Sequence, residues 1–320
     1  MLHLSVALDQ QSVYAAASYV ALARLAERGG LDFVTLDDTF ARPGPDALAV
    51  LSRVAPATSR IGLVPTVTTT HTEPFHVQAA VATLDWVSRG RAGWRLDVSA
   101  TEGEARLFGR RHAAAADVLW QEAGEVADVA AKLWDSWEDD AEKRDVPTSR
   151  FIDRDKLHRV DFRGTSFSVK GPSIVPRPQQ GHPVRVIDAT EGQARRTAAR
   201  YADVALVRAA GAGQAADVRA QLRSRAAEYG PRPSAQGPLY RGGPVDLAEL
   251  IAGWHGEGVA DGFHLVPTEP LRDLERLVNG TVALLQHRGL FRTFYPGSTL
   301  REHLGLARPA NQYAVTGGAS

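Results

Sequence analysis

Short apolar runs alternate with longer amphipathic stretches along this chain, and the alternation predicts strands separated by helices. Residues 2–8, 31–36, 61–64, 94–98, 184–187, 203–207 and 262–266 read as strands. The run Ile61-Gly62-Leu63-Val64 is apolar on both faces, as a strand inside a parallel sheet is. A helix is expected over 12–28, with Ser12 as N-cap and Gly29-Gly30 as its stop. A short one, also opened by a capping residue, is expected over 46–54. Glu73-Pro74 opens another, with Val77, Val81 and Leu84 at helical spacing. The helix over 115–133 carries its stripe on Leu119, Val126, Val129 and Leu133. One more runs to Arg200, and the closing helix over 271–287 turns Leu274, Val278, Val282 and Leu285 inward, with Gly289 as its stop.

Strand–helix alternation of this length implies a parallel sheet, open or closed into a barrel. The number of strands favours a (β/α)8 TIM barrel. Its eighth strand is expected near 237–240, where the sequence is short and poor in β-branched residues. Two segments break the alternation. Residues 134–182 are charged and Pro-rich but hold a hairpin pattern, Val160-Asp-Phe and Thr165-Ser-Phe-Ser-Val around Gly164. This stretch reads as an excursion on the barrel. The Gly-, Ala- and Pro-rich tail beyond Leu306 reads as loose. The expectation is therefore one barrel domain over 1–306, an insertion at about 134–182, and a flexible tail over 307–320.

Composition narrows the function classes. The 320 residues suit one α/β barrel, and 44% hydrophobic residues allow a large core. Lysine plus arginine and aspartate plus glutamate both number 37, so no net field favours nucleic acid or an anionic membrane, and Arg195-Arg196 reads as a solvated helix face. The absence of cysteine excludes disulfides, thiolate nucleophiles and Cys-ligated metals. No basic segment followed by an apolar core opens the chain, and no apolar run reaches the roughly 18 residues of a membrane helix. A cytoplasmic protein without a metal is expected.

No phosphate-binding loop of the Walker type and no helical zinc motif is present. Gly211-Ala-Gly213 lacks the third glycine of a dinucleotide turn and comes late in the chain. The barrel rule is more informative, because active residues sit at the C-terminal ends of the strands. Those ends carry Asp37-Asp38-Thr39, residues 66–71, Asp97-Val98-Ser99 and Asp188-Ala189-Thr190-Glu191. Taken singly, Thr190 and Ser99 read as helix caps. Taken together, the hydroxyls and carboxylates read as one shared pocket. His71 and His112 are each a candidate acid–base group or a surface imidazole. Trp86, Trp94, Trp134 and Trp137 read as core.

Several stretches then carry a specific resemblance. They are Thr72-Glu-Pro-Phe-His-Val, Ala82-Thr-Leu-Asp-Trp-Val-Ser-Arg-Gly-Arg-Ala-Gly-Trp94, Glu104-Ala-Arg-Leu-Phe-Gly109, Leu133-Trp-Asp-Ser-Trp-Glu-Asp-Asp-Ala141, Gln286-His-Arg-Gly-Leu290 and Tyr295-Pro-Gly-Ser-Thr-Leu-Arg-Glu-His-Leu-Gly305. In this order the chain resembles the bacterial-luciferase-like flavin-dependent monooxygenases, in the branch of the nitrilotriacetate and dibenzothiophene-sulfone enzymes. The resemblance implies a dimeric (β/α)8 barrel that takes reduced FMN from a separate NAD(P)H-dependent flavin reductase, activates O2 at the flavin, and oxygenates a small organic substrate. It implies flavin contacts at Asp38, Thr68, Thr69 and Ser99, and it places His112 beside the flavin as the catalytic residue. A deazaflavin coenzyme, used by other branches, ranks behind FMN.

The departures are as specific. Arg95 stands where the family has asparagine, and Ala116 where it has tyrosine. In the turn expected to hold the FMN phosphate beside Thr190, Glu191 replaces a serine and Ala189 a glycine. A carboxylate ~4 Å from a phosphate charge costs on the order of 4 kcal/mol at an effective dielectric of about 20, unless Arg95, Arg110 or Arg111 compensates. The region before the last strand is also shortened. The alternative these changes suggest is a degenerate barrel that no longer binds flavin and serves as a partner protein or in a non-redox step.

Overall fold

The computed structural model describes residues 1–10, 13–190, 192–209, 211–226, 240 and 242–314. Strand β1 (His3–Ala7) leads to helix α1 (Ala16–Arg28), followed by β2 (Phe33–Leu36), α2 (Ala47–Val54), β3 (Gly62–Thr68), α3 (Pro74–Ser88) and β4 (Gly93–Asp97). Helices α4 (Glu102–Phe108) and α5 (Ala116–Asp135) precede two small hairpins, β5 (Glu142–Asp145) with β6 (Arg150–Ile152) and β7 (Phe162–Arg163) with β8 (Ser168–Val169). The chain then runs through β9 (Val184–Asp188), α6 (Gly192–Tyr201), β10 (Val204–Leu206), α7 (Ala212–Ala226), α8 (Pro244–Gly256) and β11 (Gly262–Leu265). It ends with α9 (Pro270–Arg276), a π-helical stretch over Leu277–Val282, α10 (Ala283–His287) and α11 (Leu300–His303).

All seven expected strands form. They make one parallel sheet in the order β10-β9-β4-β3-β2-β1-β11, a nearly closed barrel with helices outside it. Among the described residues nothing pairs with the outer edges of β10 and β11. The strand expected at 237–240 lies outside the described residues except for Tyr240, which is coil.

Alternate strand residues point into the lumen. Phe33, Val64, Val184, Val186, Val204 and Leu206 fill one end, plugged by Leu300 of α11. At the other end the inward positions turn polar. His264 is fully buried, with hydrogen bonds to Ser5 Oγ (2.9 Å) and Thr35 Oγ1 (3.1 Å), and Thr66 stands beside Arg95 in the β3–β4 register. The lumen is thus sealed at its N-terminal end and polar at its C-terminal mouth.

Several expectations shift. Helix α1 starts at Ala16 with Ala15 as N-cap, and Ser12 lies outside the described residues. The closing helix is split by its π-helical stretch, where Gly280 lets Pro244 of α8 approach to within 2.6 Å of where a Cβ would sit. Trp86 is not core: its ring lies at the surface and its indole N–H donates to Pro176 O. The described part of the tail, residues 307–314, is anchored on the excursion. Arg308 pairs with Asp139, Asn311 donates to the carbonyls of Asp135 and Trp137, and Tyr313 stacks on His158.

Candidate functional site

The loops after β1, β2, β3 and β4 meet at the polar mouth. Thr68 is buried at the end of β3, in register with Asp97. Thr69 folds back: its N–H and hydroxyl both donate to Asp97 O, at 2.8 and 3.1 Å. Thr70 Oγ1 accepts the N–H of Ser99 at 2.9 Å. The Thr69 hydroxyl expected to meet a cofactor is therefore engaged in tying β3 to β4. Arg111 reinforces the same turn by donating to Thr70 O and, bidentately, to Glu122. Arg110 pairs with Glu73 at the surface. Neither arginine is available to balance a phosphate.

Among the described residues, four polar atoms at the ends of these two strands have no hydrogen-bond partner: Thr66 Oγ1, Ser99 Oγ, Arg95 Nε and His71 Nε2. Thr66 and Ser99 are only 2% and 1% exposed. Buried polar atoms without partners are rare in folded proteins and point to an occupant such as a ligand or ordered water. The aromatic ring of His71 stacks on Phe108 at 4.6 Å, and Phe108 meets Phe40 edge-on at 4.7 Å, so apolar surface borders the orphaned atoms. Burial, then the charge of Arg111, pushes the His71 imidazole below its ordinary pKa.

Arg95 sits inside a ring of carboxylates. Its Nη1 lies 3.8 Å from Asp37 Oδ1, and its charge acts on Asp9 and Asp97. Burial pushes both of those carboxyls up, with Arg95 opposing. His264 beneath them is pushed down to about 3 by burial, then by Arg95 and Arg208. The first-strand acid Asp9 was not singled out from the sequence, although it directly follows a strand end. His264 was also missed, because it lies within a strand and gave no loop signal.

Asp38 is half-buried and accepts the N–H of Ala47, and burial raises its carboxyl. It lines a cleft of about 1530 Å³ that runs from the ends of β1, β2 and β11 toward α8, with Asp9, Asp37, Tyr14, Phe263 and Arg208 in its wall. The orphaned atoms of β3 and β4 lie beside this cleft, not in its lining. Thr190 Oγ1 accepts the N–H of Arg208, and so ties the β9 loop to the end of β10. Glu191 lies outside the described residues. His112 does not reach the mouth: its side chain is 94% exposed and bonds Glu102 at 2.9 Å, while the same carboxylate accepts the N–H of Ala113. Glu102 in the first turn of α4 thus holds this loop outward.

The family model described as luciferase-like monooxygenase matches residues 2–245. The chain is 30% identical to nitrilotriacetate monooxygenase component A of Aminobacter aminovorans, over 92% of this chain and 91% of that protein. It is 32% identical to a subunit of pristinamycin IIA synthase from Streptomyces pristinaespiralis, over 92% and 90%. The fold superposes on EDTA monooxygenase from Chelativorans sp. BNC1 with a TM-score of 0.84 at 20% identity, covering 96% of this chain and 99% of that one. The first of these matches spans 412 aligned positions, of which this chain fills about 294 (92% of 320); the second spans only 296.

Proposed function

Since the chain belongs to the luciferase-like monooxygenase family, we propose that it is an FMN-dependent oxygenase of a small organic substrate, with reduced FMN delivered by a separate flavin reductase. The observation that carries this reading is the set of orphaned buried polar atoms at the ends of β3 and β4. Ser99 Oγ, Thr66 Oγ1 and Arg95 Nε suit the alternating donors and acceptors of an isoalloxazine edge, and the Phe108–His71 stack suits its apolar face. Reduced FMN, when bound, supplies the electrons with which O2 is activated. Thr69 and Thr70 hold the β3–β4 loops in place, and the plug at Leu300 closes the lumen from below. Asp38 fixes the run into α2 and borders the substrate cleft. His112 has no part in this arrangement unless its loop turns inward.

Fluorescence titration with oxidised FMN, and anaerobically with reduced FMN, tests the proposal. Saturable binding below millimolar concentration, weakened in Ser99→Ala, is expected. A second reading is one component of a heteromeric oxygenase whose partner carries the flavin. It is favoured by the match in length to one subunit of a synthase and by the outward His112. No FMN binding at millimolar concentration would overturn the first reading and leave this one standing.

A further inference from the structure

The sequence offers two histidines for this mouth, and the structure separates them. His112 is turned outward by Glu102. His71 is packed inside: it is 8% exposed, and its Nε2 is buried with no partner among the described residues. It directly follows Thr70, whose Oγ1 holds the N–H of Ser99, and the Ser99 hydroxyl is another of the orphaned atoms. The imidazole therefore belongs to the same corner of the mouth as Ser99. Its ring lies 16° from parallel with that of Phe108, so one face is covered by an aromatic ring while the unpaired nitrogen lies in the ring edge.

Arg111, Glu104, Glu122 and Arg110 all act on His71 through space, and each is engaged elsewhere. Glu104 accepts the N–H and hydroxyl of Thr101 on one oxygen and the Thr39 hydroxyl on the other. Glu122 holds Arg111 through both of its oxygens at 2.8 Å. Arg111 also donates to Thr70 O, and Arg110 pairs with Glu73 at the surface. Burial, then Arg111, lowers the imidazole pKa, with Arg110 adding to this and the two glutamates opposing it. The ring is thus neutral at pH 7, with one N–H and one lone pair, so Nε2 is suited to either a donor or an acceptor. Buried polar atoms are nearly always paired, and the partner of this one has to come from outside the chain.

We propose that His71, and not His112, is the imidazole of the flavin site, its Nε2 pairing with the polar edge of the bound isoalloxazine. This rests on the flavin reading and names a cofactor-contacting residue within it. Protein carrying 15N in its histidine rings is titrated with oxidised FMN while flavin fluorescence is followed. The His71 ring signals, assigned by their loss in His71→Phe, should shift and saturate together with the fluorescence. Those of His112, assigned in His112→Ala, should stay in place. Phenylalanine keeps a ring against Phe108, so His71→Phe should keep the parent melting temperature yet bind FMN about tenfold more weakly. A merely structural His71 would leave that affinity unchanged. If the phenylalanine variant does not fold, His71→Leu serves for both assignment and affinity. His71 signals unmoved at saturating FMN, or unchanged affinity in a folded variant, overturn the proposal and leave the flavin reading intact. Movement of the His112 signals alone also overturns it. A parent chain that binds no FMN refutes the flavin reading and this proposal together.

Discussion

Leu300 stands so close to Gly62 that a Cβ built on the glycine would lie 2.6 Å from Leu300 Cδ1. The same Cβ would be 2.8 Å from Phe33 Cβ, and one on Gly93 would sit 2.9 Å from Val184 O and 3.4 Å from Leu300 Cδ2. Two glycines on neighbouring strands thus open the space into which α11 drives its plug. Gly62→Ala overfills that end of the lumen and should destabilise by about 1–3 kcal/mol. Leu300→Val in the same chain should recover part of the loss, because the two changes share one space. Urea denaturation of the single and double variants checks this. Strictly additive effects would show that the plug and the glycine are not coupled.

The barrel was legible because its strands are apolar runs bounded by helix signals, and these are local. The stripe Leu119, Val126, Val129 and Leu133 is buried throughout, as its spacing requires. Helix α4 was passed over although its signal was present: Thr101 and Glu104 form a capping box. The site was legible only in part. Ser99 and Asp38 could be placed from strand ends, but the engagement of Thr69 and Thr190 in backbone hydrogen bonds depends on where neighbouring loops fold. The outward turn of His112 depends on Glu102, ten residues earlier, and no periodicity encodes that contact. The orphaned state of Thr66 is likewise a property of the closed lumen and not of its own strand.

Arg91 illustrates a tertiary device hidden in a motif. Its guanidinium is buried and donates to the carbonyls of Ala55, Thr58, Ile61 and Ser88 and to Thr58 Oγ1, with no carboxylate within reach of a salt bridge among the described residues. It closes the carbonyl ends of α2 and α3 at once. Burial pushes it down to about 10, which still leaves it charged at neutral pH. Arg91→Lys keeps the charge but loses the fork, and several of these acceptors are left bare. A loss of about 3 kcal/mol or more is expected, since each buried unsatisfied group costs ~1–3 kcal/mol. A denaturation midpoint close to that of the parent chain would contradict this account.

Ser99 offers a test in which stability and function separate. Its hydroxyl is buried and unpaired, so Ser99→Ala removes an unsatisfied group and should leave unfolding free energy unchanged or slightly higher. If the flavin is the missing partner, the same substitution should weaken FMN binding by about tenfold, the worth of one hydrogen bond at ~1.4 kcal/mol. The backbone N–H of Ser99 keeps its bond to Thr70 in the variant. Destabilisation together with unaltered FMN affinity would mean that an internal water, not the cofactor, occupies that position.

Acid should unfold this protein through histidines buried in neutral form. Burial, followed by nearby arginines, holds His264 down to about 3 and His303 down to about 4. In the unfolded chain both titrate near 6.5. Above that value neither state binds the proton and stability is flat. As pH falls below 6.5 the unfolded chain takes up protons that the folded chain refuses, so stability drops until pH passes the folded values. The loss at pH 5 is about 2 kcal/mol for each histidine. Asp85 works the other way. Burial raises its carboxyl to about 6, so the folded chain gains a proton first and regains ~1 kcal/mol between pH 7 and pH 5. Over these three groups the sum still falls with acid. His303→Gln removes that histidine's contribution: whatever it does to stability at pH 7, the further drop from pH 7 to pH 5 should shrink by about 2 kcal/mol. Urea midpoints at the two pH values measure that difference, and a drop as large as in the parent chain would show that His303 is not held neutral by the fold.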